Sequence, residues 1–217
     1  MVKYKIFRYQ FMPDLNEKKS AEELMSKKQS VFANVLNLFS VKMMHDNIFQ
    51  LRYRNEILLL NNDPQKQLLL VPSKNILLQF INDVNVELKP LGLTLYIGNV
   101  FEASEFWDFV KNHKNITMLK FTIPYPNLGI ENAIKSGLKK ANSKSTSIKF
   151  EADSDSSLNI DMDNELLRRL VECSAQRSLK ISVKVKGERD NYLYVGDEIK
   201  EICAEDYDSL IEILMSK

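Results

Sequence analysis

Apolar residues recur along the chain with two periods, and the switches between those periods mark its elements. Val2–Phe11 is aromatic and β-branched with basic residues interleaved, which predicts a strand that Pro13-Asp14 ends. From about Ser20 to Ser40 the apolar positions Leu24, Val31, Phe32, Val35, Leu38 and Phe39 fall at helical spacing, and Ser20 with Glu23 makes a capping box. The spacing predicts a long amphipathic helix with Lys27 and Lys28 on its wet face. Three strand-like runs follow, Ile48–Tyr53, Glu56–Leu60 and Gln67–Val71, separated by turn residues at Arg54-Asn55 and Asn61–Pro64; they predict an antiparallel meander. Ser73 is placed to cap a helix reaching about Leu88, with Ile76, Leu77, Phe80, Ile81 and Val84 on one face. Leu93–Val100 reads as a strand. Ser104–Asn112, with the only tryptophan, Trp107, reads as a short helix.

The second half has a cleaner rhythm. Ile116–Ile123 is a strand stopped by Pro124-Tyr125-Pro126-Asn127. Leu128–Lys140 is a helix with Ile130, Ala133, Ile134, Gly137 and Leu138 inward. Ser145–Phe150 is a strand and Asp155–Asp161 a polar loop. Asp163–Arg177 is a helix with Leu166, Leu167, Leu170 and Val171 inward. Leu179–Lys186 alternates Ile181, Val183 and Val185 against Ser182, Lys184 and Lys186, and a turn at Gly187–Asp190 leads into Asn191–Val195. The order β-α-β-α-β-β is close to a ferredoxin-like split βαβ. The fold class expected is therefore α+β, in two small sandwich-like domains. Residues 1–114 would hold a strand, a long helix, a β-meander, a helix and a strand. Residues 115–217 would form the ferredoxin-like domain.

Composition narrows the class. With 44% of its 217 residues hydrophobic the chain can bury a real core, and only 6 Gly and 6 Pro leave little room for long loops. Its 30 Lys+Arg nearly balance 29 Asp+Glu, so any affinity for a polyanion must come from a local patch. No apolar run approaches the ~20 residues that span a bilayer. Met1–Gln10 alternates charged and apolar residues, unlike a signal peptide. We therefore expect a cytoplasmic protein away from the membrane, with Cys173 and Cys203 as buried free thiols.

Catalytic and metal signatures are weak. Asp153, Asp155, Ser157, Asn159 and Asp161 alternate as calcium-loop ligands do, but Leu158 stands where the turn needs Gly, and Asn164 where a bidentate Glu belongs. A solvated acidic loop that caps the next helix fits better, and no metal or other cofactor is expected. His45 and His113 fall in polar connections without ligand-spaced partners and read as surface histidines. No nucleophile elbow, phosphate-binding Gly loop or H-E-x-x-H occurs. Glu151, Asp153 or Asp161, with Lys184 and Lys186 nearby, leave a metal-dependent nuclease as one alternative. Basic residues gather in two places: Lys3, Lys5 and Arg8 among Tyr4, Phe7 and Tyr9, and Lys135, Lys139, Lys140, Lys144 and Lys149, with no acid between residues 135 and 149. Cations beside aromatic rings suit nucleic acid, because phosphates pair with Lys and Arg while unstacked bases lie on rings.

Within Asn115–Ile202, the strand ending in Thr122-Ile123-Pro124-Tyr125-Pro126-Asn127, then helix, strand, Ser157-Leu158, helix and strand pair, resembles a bacterial family known only as a domain of unknown function. Its members end that strand in Arg-Pro-Asn; Tyr125 stands here in place of the Arg. The layout is more distantly similar to phage exclusion proteins of the lambda RexA type. That resemblance implies a phage-defence setting and DNA binding without strong sequence preference, and it carries over no catalytic residue. The expectation is thus a non-enzymatic, dimeric nucleic-acid-binding protein of such a system, its phosphate contacts made by Lys3, Lys5, Arg8, Lys135, Lys139, Lys140 and Lys144. The alternatives are a sensor or adaptor that binds a partner protein, and the nuclease.

Overall fold

Helices and strands mix as an α+β fold in the computed structural model, which describes residues 1–13, 35–63, 66–124, 145–153, 156–187 and 192–216. Two compact units emerge: residues 1–98 with 199–217, and residues 99–198. A cut at Lys114 would therefore leave 99–114 and 199–217 on the wrong sides of these units. Long-range pairing of β-strands explains the return of the C-terminal segment to the first unit.

The first unit is built on a seven-stranded sheet. Its strands are β1 (Val2–Pro13), β2 (Ser40–His45), β3 (Ile48–Tyr53), β4 (Glu56–Asn61), β5 (Leu68–Val71), β6 (Leu93–Asn99) and β11 (Glu201–Ala204). The order is β11-β1-β5-β4-β3-β2, with β6 also on β1. β11 pairs antiparallel with the start of β1, from Val2 opposite Ala204 to Lys5 opposite Glu201, while β5 takes its other edge. Alternation sends Phe7, Tyr9, Leu51, Tyr53, Leu58, Leu60 and Leu69 into one core, closed by Leu77, Phe80 and Val84 of helix α1 (Lys74–Leu88). The opposite face carries Tyr4, Leu59 and Asn61. There Asn61 Nδ2 donates to the Leu214 carbonyl at 2.9 Å and the Tyr4 ring meets Tyr207 edge-on, so helix α4 (Tyr207–Ser216) covers that side. Burial on both faces is why Leu58–Leu60 and Leu68–Val71 read as unbroken apolar runs. Ser73 caps α1 as its sequence implies, its hydroxyl accepting from the Ile76 N–H.

Most of the helix placed over Ser20–Ser40, including its capping box, lies outside the described residues; Val35 and Leu36 are helical and Val35 is buried in the core. Ser40–His45 is not helix end and connection but strand β2, turned onto β3 through Asn47 at φ 61°. Residues after Val195 carry β11 and α4, the latter capped by Asp206, which accepts from the Ser209 N–H at 2.9 Å.

The second unit is a four-stranded antiparallel sheet, order β10-β9-β7-β8, from β7 (Ile116–Pro124), β8 (Ser145–Glu151), β9 (Ile181–Val185) and β10 (Leu193–Val195). β8 and β9 both run antiparallel to β7, one on each side, so they are parallel to each other across it. Two rows of four apolar residues line one face: Phe150, Leu119, Val183 and Leu193, then Ile148, Phe121, Ile181 and Val195. Helices α2 (Ala103–Asn112) and α3 (Glu165–Gln176) close over them with Phe106, Leu167, Leu170 and Val171. The helix expected over Leu128–Lys140 lies outside the described residues. Leu166 is exposed rather than inward, because the buried stripe of α3 runs through Leu167, Leu170, Val171 and Ser174. None of the described helices is long and apolar enough to cross a membrane.

Candidate functional site

The first basic group does not converge. Lys3 and Lys5 share one face of β1 and Arg8 the other, as the two-residue period of a strand requires. The rings beside them, Tyr4, Phe7 and Tyr9, are buried. Lys3 Nζ lies 2.7 Å from one Glu201 carboxylate oxygen and Lys5 Nζ 2.6 Å from the other, while Arg8 Nη1 donates to the Lys66 carbonyl at 2.8 Å. Lys135, Lys139, Lys140 and Lys144 lie outside the described residues.

The clamp on Glu201 has a pH signature. Hydrogen bonds from Lys3 and Lys5, then their charges, hold its carboxyl at about 2, below the ordinary 4.5. A depressed folded-state value stabilises the fold above the unfolded value and is lost as pH falls through the folded one. The contribution is therefore whole above pH 4.5 and fades toward pH 2. Thermal melts of Glu201→Gln across this range should lack the corresponding slope; a slope equal to wild type would refute the pairing.

The acidic loop gathers no metal site among the described residues, where no three His, Cys, Asp or Glu side chains converge. Asp155 is outside them. Glu151 is held by Lys149 at 2.5 Å, the Asp161 carboxylate accepts the Asp163 N–H at 3.0 Å, and Asn164 caps α3 by accepting from Leu167. His45 is exposed, but His113 is half-buried, its ring stacked on Phe109 at 4.0 Å. Cys173 is half-buried and Cys203 exposed, so neither is the buried thiol expected; Cys203 alternates with buried Ala204 on β11.

A different group does come together. On the sheet face of the second unit turned away from α2 and α3, Lys149, Lys120, Ser182 and Tyr194 form one row across β8, β7, β9 and β10. Lys120, Lys149 and Tyr194 are exposed, Tyr194 at 47%, and Ser182 is half-buried. Lys184 lies one row on, beside buried Met118, and Ser147 is exposed on the other side. Lys180 places its ammonium 5.6 Å from the centre of the Tyr194 ring and pairs with Asp197. Among the described residues Lys120 has no ion-pair partner.

The end of that row is rigidly built. Gly196, just after β10, takes φ 82°, and a Cβ there would stand 2.5 Å from Cδ1 of the buried Phe101 ring. Asn99 Nδ2 donates to the Asp197 carbonyl at 2.8 Å, fixing the same turn. Gly196→Ala should therefore cost about 1–3 kcal/mol through overpacking and an unfavourable backbone; a denaturant midpoint equal to wild type would refute this packing.

A row with several ammonium groups and an exposed phenol ring at one end offers charge to an anionic chain and a π face to a planar group. Sequence reasoning missed Lys120 and Tyr194, because only the strand register joins them to Lys149. Compared with known proteins, the chain matches no family model, no curated protein and no solved structure.

Proposed function

We propose that the chain is a non-enzymatic nucleic-acid-binding protein, and that the open face of the four-stranded sheet is its binding surface. The row Lys149–Lys120–Ser182–Tyr194 carries this reading. Among the described residues Lys120, Lys149 and Lys184 lie on this face and Lys180 beside its end, against Glu151 and Asp197, on a chain of formal net charge +1. Phosphate contacts of this kind position a nucleic acid without reading its sequence. Phage defence or exclusion, the setting implied by the resemblance of Asn115–Ile202, suits a protein that binds without sequence choice.

Binding measured as a function of salt tests the reading. Each phosphate neutralised releases condensed counterions, so the log–log slope should steepen by about −0.7 per contact on single strands and −0.9 on duplex. Absence of binding to any DNA or RNA at low salt and micromolar protein would end it.

A second reading has its own observation. Edge strand β2 exposes Val41 at 36% and Met43 at 67%, side chains that would gain from burial against a partner protein. A sensor or adaptor module would dock there, and recovery of one specific protein from infected cells, lost in Met43→Lys, would favour it over nucleic acid.

A further inference from the structure

We infer that this sheet face takes a single strand rather than a duplex, with one unstacked base on the Tyr194 ring and the adjoining phosphates over Lys120 and Lys149; the inference rests on the nucleic-acid reading above. In a duplex the bases are stacked on one another, so a flat sheet can meet only the backbone and an exposed ring at its end has nothing to stack on. A single strand offers a π face at every base, and stacking there is tolerant of sequence. Neighbouring strands lie ~4.8 Å apart, so Tyr194 stands about 14 Å from Lys149, three strand spacings, with Lys120 between them. One extended chain laid across the strands meets the ring and both ammonium groups in turn. Lys180 holds its ammonium over one face of that ring, 5.6 Å from its centre, so the base would stack on the other face. Asp197 holds Lys180 close, and the turn at Gly196 against Phe101 fixes Asp197 in place. The ring and its cation are thus positioned before any ligand arrives.

The test is fluorescence anisotropy of a short labelled oligothymidylate and of a blunt duplex of equal length at low salt. Wild type should bind the single strand more tightly. Tyr194→Ala should weaken that complex roughly 5- to 150-fold and leave duplex affinity within about twofold. Tyr194→Phe, which keeps the ring, should behave as wild type. A 5-iodouracil strand photocrosslinked to wild type reads the contact with no variant at all, and the adduct should map to Tyr194. Equal affinity for both forms, an equal loss on both in Tyr194→Ala, or a crosslink mapping wholly elsewhere would overturn the single-strand inference while phosphate binding stood. Failure to bind either form would remove both readings together.

Discussion

Replacing Phe106 by Ala should destabilise the second unit by about 3–5 kcal/mol, the usual range for emptying a buried phenylalanine site. Phe106 is fully buried, 4.9 Å from the Trp107 ring and 6.1 Å from Phe121 in the middle of the sheet. Its helix is fixed at the start by a reciprocal capping box between Glu102 and Glu105, so α2 cannot slide to fill the void. Chemical denaturation gives the magnitude. Hydrogen exchange gives the location, because protection should fall in β7, β9 and α3. Loss confined to residues 1–98 would instead place α2 with the first unit, as a boundary at Lys114 would have it. Trp107, the only tryptophan, supplies a fluorescence signal beside the same site.

That boundary shows which parts of the fold a sequence can carry. Ser73 as a cap, the strands at Ile48–Tyr53 and Glu56–Asn61, and the alternation of Ile181, Val183 and Val185 were legible because each rests on residues within one element. The division into units was not, because it depends on Val2 facing Ala204 across the whole chain. Strand β2 was hidden by its setting: an exposed edge needs no alternation, and Val41, Met43 and Met44 extend an apolar pattern begun by the helix before it. Helix α4 did leave a signal, Asp206 and Ser209 ahead of Leu210 and Leu214, but a four-residue strand before it gave little to anchor the reading.

The candidate site follows the same rule. Lys3, Lys5 and Arg8 are close in sequence and looked like a patch, yet the strand period sends them to two faces and Glu201 takes up two of them. Lys120 is a lone cation between Leu119 and Phe121, unremarkable until the register sets it opposite Lys149 on one side and Ser182 on the other. A patch made by neighbouring strands has no linear signature, whereas a run of lysines has one whether or not they meet.

Removing both central cations, Lys120→Ala with Lys149→Ala, should lower single-strand affinity roughly 60-fold at 50 mM salt. Two contacts at about 0.7 each, over the roughly 1.3 decades between 50 mM and 1 M salt, are worth about 1.8 decades of binding constant. The loss should shrink to about tenfold near 200 mM, and the salt slope itself should flatten by about 1.4. It should be equal for all sequences, because phosphates carry no base information. Both side chains are exposed, and surface changes of this kind usually alter stability by no more than ~0.5 kcal/mol, so melting temperature separates lost binding from lost fold. Glu151 supplies a counter-test of opposite sign. It holds Lys149 at 2.5 Å and competes with any phosphate for that ammonium. Glu151→Gln should therefore tighten binding and steepen the salt slope. If both variants leave affinity and slope at wild-type values while the protein still binds nucleic acid, the contacts lie on another surface and the sheet face is not the site.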